Sequence, residues 1–190
     1  SLNDIRKIIN FINLIQKQKK NYIKLTNSKI KYGTDKVTKI TDVFKNIDNR
    51  IQKTDLRIKK SKLLNLKLNK TIHLIKKKNR KIKLIFLKKK IKFSKNNLIL
   101  SPSDFNVNNI IKHKNKISFI DFEYSGLDSS YKLVLDFISQ PDIKVDNHKI
   151  KYFIKNLNKM LRNSKIEVSL NLQILNNIKW FYIILNSRYK

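Results

Sequence analysis

The amino-acid sequence predicts a mainly α-helical chain with one small β-hairpin. Three observations carry that prediction. Isoleucine and leucine recur at three- and four-residue spacing through most of the chain, the period of a helix face. The texture changes at Leu98, where short apolar runs alternate with turn residues as far as Ile120. Only two glycines and two prolines occur among 190 residues, so few points force a long helix to stop.

Each element has its own signal. Ser1 and Asp4 form a weak capping pair ahead of a helix striped by Ile5, Ile8, Ile9, Ile12 and Ile15. Gly33 and Thr34 break the chain and start a second helix, whose stripe runs Val37, Ile40, Val43, Phe44, Ile47, Ile51. The lysine-rich stretch from Asp55 to Lys95 continues as helix. Its buried candidates are Leu63, Leu64, Ile72, Ile75, Ile82 and Phe86, and its break points are not legible. Leu98-Ile99-Leu100 is a short apolar run that Ser101-Pro102-Ser103 stops. Val107 to Ile111, the polar turn His113-Lys114-Asn115-Lys116, and Ile117 to Ile120 read as a hairpin. Ser129 or Ser130 then caps a helix carrying Leu133, Val134, Phe137 and Ile138, which ends before Pro141. Two helices close the chain, one with Ile150, Phe153, Ile154, Leu157 and Leu161, the other with Leu170, Ile174, Ile178, Phe181 and Leu185. No repeat of fixed period interrupts this order. The chain reads as one domain: a basic helical part (1–97), a hairpin region (98–124) and C-terminal helices (125–190).

A net charge of +31 suggests a phosphate backbone as partner. The composition of that charge points elsewhere. It comes from 38 lysines and only 6 arginines, whereas base and phosphate readers lean on the bidentate arginine fork. The chain contains no alanine and is rich in Lys, Asn and Ile, residues written with A/T-rich codons. A coding bias of that kind places lysine at any tolerant surface position, so bias and a real polyanion surface both account for the total. One segment escapes it. From Asp104 to Asp146, seven acids (Asp104, Asp121, Glu123, Asp128, Asp136, Asp142, Asp146) outnumber five lysines. That favours a metal or a cationic ligand there. No run of about 18 uncharged apolar residues indicates a membrane span. The absence of cysteine removes disulfides and thiolate metal sites, and is compatible with a cytoplasmic setting. His73, His113 and His148 are scattered without metal-ligand spacing and read as solvated.

The acid-rich segment holds the chemistry. Asp104 is followed at five residues by Asn109, and Asp121 closes the strand-like run after the turn. Phosphoryl transfer from ATP needs a carboxylate to orient and deprotonate the acceptor hydroxyl, and hard oxygen ligands for Mg²⁺. Asp104 suits the first role, Asn109 and Asp121 the second, with the hairpin available to bring them together. Glu123 and Asp128 can support the metal or attract a cationic acceptor. Phe105, Phe122 and Tyr124 read as packing residues.

With these residues in place, the chain resembles the aminoglycoside phosphotransferase and choline kinase-like enzymes, relatives of protein kinases. Asp104 to Asn109 matches the D-x-x-x-x-N step of their catalytic segment, and Ile120-Asp121-Phe122-Glu123-Tyr124 their I-D-F-E-Y-like segment. Lys179-Trp180-Phe181-Tyr182-Ile183-Ile184-Leu185-Asn186 is similar to the last helix of that group. The specific resemblance covers about residues 98–140. It implies Asp104 as catalytic base, Asn109 and Asp121 as Mg²⁺ ligands, ATP and Mg²⁺ as cofactors, and a small-molecule hydroxyl (sugar, amino alcohol or aminoglycoside-like) as acceptor. Three departures accompany it. Pro102 replaces the family's histidine two residues before the base. The acid often found after the second segment falls near Lys132, with Asp136 one turn later. No glycine-rich phosphate loop or strand lysine precedes the motif, so the resemblance implies the C-lobe of a protein-kinase-like fold with the N-lobe absent, as a fragment or as a chain that has lost it. The alternative function is a non-catalytic basic binding or scaffold protein for nucleic acid or another polyanion.

Overall fold

The computed structural model describes residues 1–26, 29–61, 66–88, 98–141, 144–161 and 166–188. The described residues are mostly helical, with two small antiparallel sheets, and the chain divides into two compact units. Leu63 and Leu64, and the stretch beyond Lys88 that was expected to remain helical, lie outside the described residues. Among those residues no helix is long and apolar enough to cross a membrane.

The first unit comprises residues 1–38 and 93–168. Helix α1 (Leu2–Thr26) starts with the expected pair, the Ser1 hydroxyl accepting from the Asp4 amide at 3.3 Å. Its isoleucine stripe is buried at Ile5, Ile8 and Ile12. Strand β1 (Leu98–Ser101) pairs antiparallel with a later strand, Gly126–Ser129, in the register Leu98↔Ser129 to Ser101↔Gly126. This sheet corrects the expectation of a single hairpin. Neither of its strands is longer than four residues, and pairing across some two dozen positions leaves no local pattern to read.

Both edges of this sheet are covered, which removes the hazard of open strand hydrogen bonds. On one side the Gln16 side-chain amide acts as a substitute strand, donating to Leu100 O at 2.7 Å and accepting from Leu100 N at 2.9 Å. On the other, Leu127 N donates to Lys31 O at 2.8 Å and Gly33 N to Leu127 O at 3.1 Å. Gly33 therefore opens no helix. It lies against Gly126 so closely that a Cβ on Gly126 would stand 2.4 Å from Gly33 N.

The expected hairpin forms as β2 (Ile110–His113) and β3 (Lys116–Phe119), with a two-residue turn at Lys114 and Asn115. Its first strand starts later than expected, because Val107–Asn109 make a 3₁₀ turn capped by the Asn106 side chain. Helix α1 runs alongside: Lys112 pairs with Asp4 at 3.0 Å, and Lys7 donates to the Asn115 carbonyl at the tip. The strand paired with β1 is β4 (Gly126–Ser129), followed directly by α4 (Ser130–Ile138). Ser129 is the N-cap, its hydroxyl accepting from Lys132 N at 3.2 Å. Helix α5 (Asn147–Leu161) completes the unit. Ile5, Ile8, Ile12, Ile99, Phe105, Leu133, Val134, Phe137, Phe153, Leu157 and Ile166 form one apolar cluster. Through it runs a chain of rings, Phe153–Phe137 at 4.6 Å, Phe137–Phe105 at 5.8 Å, Phe105–Phe119 at 6.1 Å and Phe119–Phe11 at 3.8 Å. Offset and tilted ring contacts of this kind add to the burial of the rings themselves.

The second unit comprises residues 39–92 and 169–190 and is made of three helices. Helix α2 (Ile40–Ser61) begins at Ile40, not at Thr34 as expected, because the Asp42 carboxylate accepts from Lys39 N at 3.0 Å and fixes the first turn there. Helix α3 (Leu66–Lys88) buries Ile72, Asn79, Ile82 and Phe86. Helix α6 (Leu170–Arg188) packs against both. Its buried face is Leu172, Leu175, Asn176, Ile178, Tyr182 and Leu185, while Leu170 is 71% exposed. The expected stripe is thus partly displaced. A helix apolar on nearly every side gives periodicity little power to choose the buried face.

Candidate functional site

The segment from Ser101 to Asn109 is wound upon itself. Ser103 has φ 71°, a left-handed conformation uncommon outside glycine, and its amide donates to the Ser101 hydroxyl at 3.1 Å. Asp104 N donates to Pro102 O, and Asn106 N to Asp104 O, each at 3.0 Å. Asn109 closes the loop: its Nδ2 donates to Asp104 O at 2.9 Å and lies 3.5 Å from the Asp104 carboxylate. The five-residue step is therefore the span over which one side-chain amide grips the backbone of the aspartate. Phe105 is buried in the apolar cluster, and Gln140, just past the end of α4, accepts from Val107 N at 2.8 Å.

The hairpin brings the third residue in. Ile120 N donates to Asn109 O at 3.1 Å, one step beyond the Ile110↔Phe119 pair, so Asp121 follows the residue opposite Asn109. Asp121 is exposed and has φ 65°. Aspartate is among the non-glycine residues that adopt this conformation most readily, at a cost on the order of 1 kcal/mol. Its carboxylate, like Asn109 Oδ1, takes no hydrogen bond from any described residue. These are two unengaged hard oxygen donors, the ligand type Mg²⁺ prefers, and Mg²⁺ usually takes few protein ligands beside phosphate and water. Among the described residues no cluster of three or more His, Cys, Asp or Glu exists, so any cation here would rely on that small set.

The remaining acids divide. Glu123 and Tyr124 are exposed, with the Glu123 carboxylate against the Tyr124 hydroxyl; that contact, with Asp121 and Asp104 within electrostatic reach, raises the phenol's pKa. Asp128 and Asp136 are not at the surface at all, being 0% and 2% exposed. Asp128 Oδ1 accepts from Val37 N and Ser129 N, both at 2.8 Å. Burial pushes its carboxyl up to about 6 against the stabilising charge of Lys132. Between these acids lies Lys132, 8% exposed, with Nζ donating to Asp136 Oδ2 at 2.6 Å and to Ser103 O, and with Asp128 Oδ2 3.5 Å away as a further ion-pair partner. Burial would lower its pKa, but Asp136 and Asp128 outweigh that and raise it.

The structure thus brings Asp104, Asn109 and Asp121 to one place, leaves Glu123 at its exposed margin, and sets Asp128 and Asp136 in the interior behind it. Phe105 packs as expected; Phe122, though 42% exposed, meets the Phe11 ring at 6.0 Å, and Tyr124 is 42% exposed. His73, His113 and His148 are exposed, as expected. Sequence reasoning treated Lys132 only as a departure from a family pattern. Its signal was available: a lysine four residues from an aspartate on either side, on a helix otherwise apolar at Leu133, Val134 and Phe137.

No protein-family model and no curated protein sequence matches the chain. Among solved structures, the crystal structure of choline kinase from Cryptosporidium parvum Iowa II shares the fold with a TM-score of 0.58 at 14% identity. The match covers 95% of this chain and 58% of that one, so the chain spans little more than half the length of that enzyme. The fold is a partial kinase-like fold.

Proposed function

We propose that residues 1–190 are the C-lobe of an ATP-dependent phosphotransferase acting on a small-molecule hydroxyl. The observation that supports this best is the pairing at the foot of the hairpin. Asn109 grips Asp104 with its nitrogen and keeps its oxygen unengaged, beside the equally unengaged Asp121. The likeness of the fold to a choline kinase points the same way, and makes an amino alcohol the first acceptor to try.

In this reading Asp104 orients the acceptor hydroxyl and takes its proton as the oxygen bonds to the γ-phosphorus of ATP and ADP departs. Asn109 Oδ1 and the Asp121 carboxylate would hold Mg²⁺, which supplies charge neutralisation for the phosphates when bound. The Asn109 amide and the left-handed Ser103 fix where Asp104 points before substrate arrives, so that little reorganisation remains for the reaction itself. Glu123 at the margin suits a cationic acceptor.

The test is ADP release by the full-length protein with MgATP and choline, followed beside Asp104→Asn. A positioned general base is worth about 10²–10⁴ in rate, and Asp104→Asn is expected to lose that much in kcat. Equal rates in the two forms, or no transfer to choline or to any sugar or aminoglycoside hydroxyl, sink the reading.

The exposed lysines and arginine of α3 (Lys67, Lys70, Lys77, Lys78, Arg80, Lys81) favour a second one, a basic binding surface for nucleic acid or another polyanion. It requires affinity for duplex DNA that falls steeply with salt.

A further inference from the structure

We propose that Lys132 is a positioning residue of the same site, its buried ammonium clamping the Ser103 carbonyl so that the turn before Asp104 holds one shape. The inference rests on the reading of Asp104 as the acting carboxylate.

An ammonium has three protons and accepts nothing. Among the described residues Lys132 donates to Asp136 Oδ2 and Ser103 O and stands 3.5 Å from a third oxygen, Asp128 Oδ2. The two carboxylates would suffice to keep a buried lysine charged. The bond to Ser103 O ties the charge pair to the loop. Every polar group of Ser103 is held: its amide by the Ser101 hydroxyl, its carbonyl by Lys132, its own hydroxyl 3.5 Å from both Asp128 Oδ2 and Thr34 O. That is what over-determines a serine at φ 71°. Asp104 is the next residue, and its amide turns back onto Pro102 O. Pro102 has neither an N–H nor a polar side chain, so it cannot do the work of the lysine.

The ammonium's own support is anchored independently. Asp128 Oδ1 is held by the amides of Val37 and Ser129, and the Ser129 hydroxyl caps the helix that carries Lys132. The lysine is therefore fixed at both ends, on rigid backbone behind and on the loop in front. Buried ion pairs are often replaceable by apolar residues without loss of stability, so a clamp should show itself in loop geometry more than in global stability.

The experiment uses the full-length protein. Lys132→Met alone would strand two buried carboxylates, so the test variant is Lys132→Met with Asp136→Asn, and Lys132→Arg is the conservative partner. Two readouts are taken. Amide hydrogen exchange at Ser103 to Asn109 is expected to quicken by about tenfold or more in the double variant, with Phe153 and Leu157 in α5 unchanged and Lys132→Arg in between. With MgATP and choline, kcat is expected to fall by about 10²-fold while KM for ATP stays within about twofold, the mark of a misplaced catalytic group. Unchanged exchange at Ser103 to Asn109, or an equal rise throughout α4 and α5, overturns the proposal, as does a kcat loss matched by an equal rise in KM. If the wild type and Asp104→Asn are equally active or equally inactive, it is the assignment of Asp104 that fails, and the exchange measurement still decides whether Lys132 clamps the loop.

Discussion

Asp128 should make the protein less stable as pH rises from 4 to 7, and Asp128→Asn should abolish that loss. The carboxyl is 0% exposed, and burial is the largest influence on it, with the charge of Asp136 acting in the same direction. Lys132 and the amides of Val37 and Ser129 oppose burial without overcoming it, and the folded-state value is raised from the ordinary 3.8 to about 6. Between those two values the folded protein keeps a proton that the unfolded chain has released. The stabilisation this brings is full below about pH 4 and is lost as pH rises through about 6. At 1.36 kcal/mol for each pH unit the loss amounts to about 3 kcal/mol. The asparagine variant keeps an oxygen for the two backbone amides but has nothing to ionise, while Lys132, its pKa raised, stays charged throughout this range. Urea unfolding of both forms from pH 4 to 8, followed by NMR signals of α4 and α5, measures the difference. The variant is expected to gain on the wild type by about 3 kcal/mol between pH 4 and 7. Parallel curves would refute the reasoning. A gap that closes with rising pH would show that the attraction of Lys132 outweighs burial.

Three further outcomes are expected. Gly126→Ala places a Cβ 2.4 Å from Gly33 N and 2.6 Å from Tyr32 C, both backbone atoms that cannot swing aside. Overpacking and the opening of the Gly33 N–Leu127 O hydrogen bond together should cost roughly 3 kcal/mol in thermal unfolding, and a loss under about 1 kcal/mol contradicts the close approach. Ser129→Ala removes the N-cap of α4 and should lower stability by about 1 kcal/mol in urea; no shift in midpoint would mean the cap is idle. Asp121→Asn is expected to weaken Mn²⁺ binding, followed by EPR, by at least about tenfold, and unchanged affinity would remove Asp121 from the cation site.

Legibility in the sequence followed the range of the interactions concerned. The α1 stripe, the Ser129 cap and the hairpin were readable because each depends on residues a few positions apart. The link between Asp104 and Asn109 was readable for the same reason. The β1–β4 sheet was not, since Gly126-Leu127-Asp128-Ser129 carries no strand pattern and its partner lies far back in the chain. Gly33 was misread as the opening of a helix because a glycine needed for close approach looks the same in sequence as one needed for a break. Asp128 and Asp136 read as possible support for a metal or a cationic acceptor within an acid-rich stretch. Only the three-dimensional arrangement shows that both are buried.

The charge of the chain gains meaning from the same point. A coding bias towards lysine fills positions where lysine is harmless, and those positions are exposed. Lys112, Lys114, Lys116 and Lys144, four of the five lysines between Asp104 and Asp146, are exposed in this way. Lys132 is the fifth. It stands in the interior, where an uncompensated ammonium costs several kcal/mol, and where its neighbours are two acids equally unsuited to burial alone. Bias can supply a lysine, but it does not also supply Asp128 and Asp136 four residues to either side, or aim the ammonium at the carbonyl before Asp104. The excess of acids that sets this stretch apart is therefore partly structural: two of its seven acids serve the lysine, while Asp104 is half-buried and Asp121 exposed. A polyanion surface would have no use for that arrangement. The site proposed above, which would hold Asp104 still close to the unengaged carboxylate of Asp121, does.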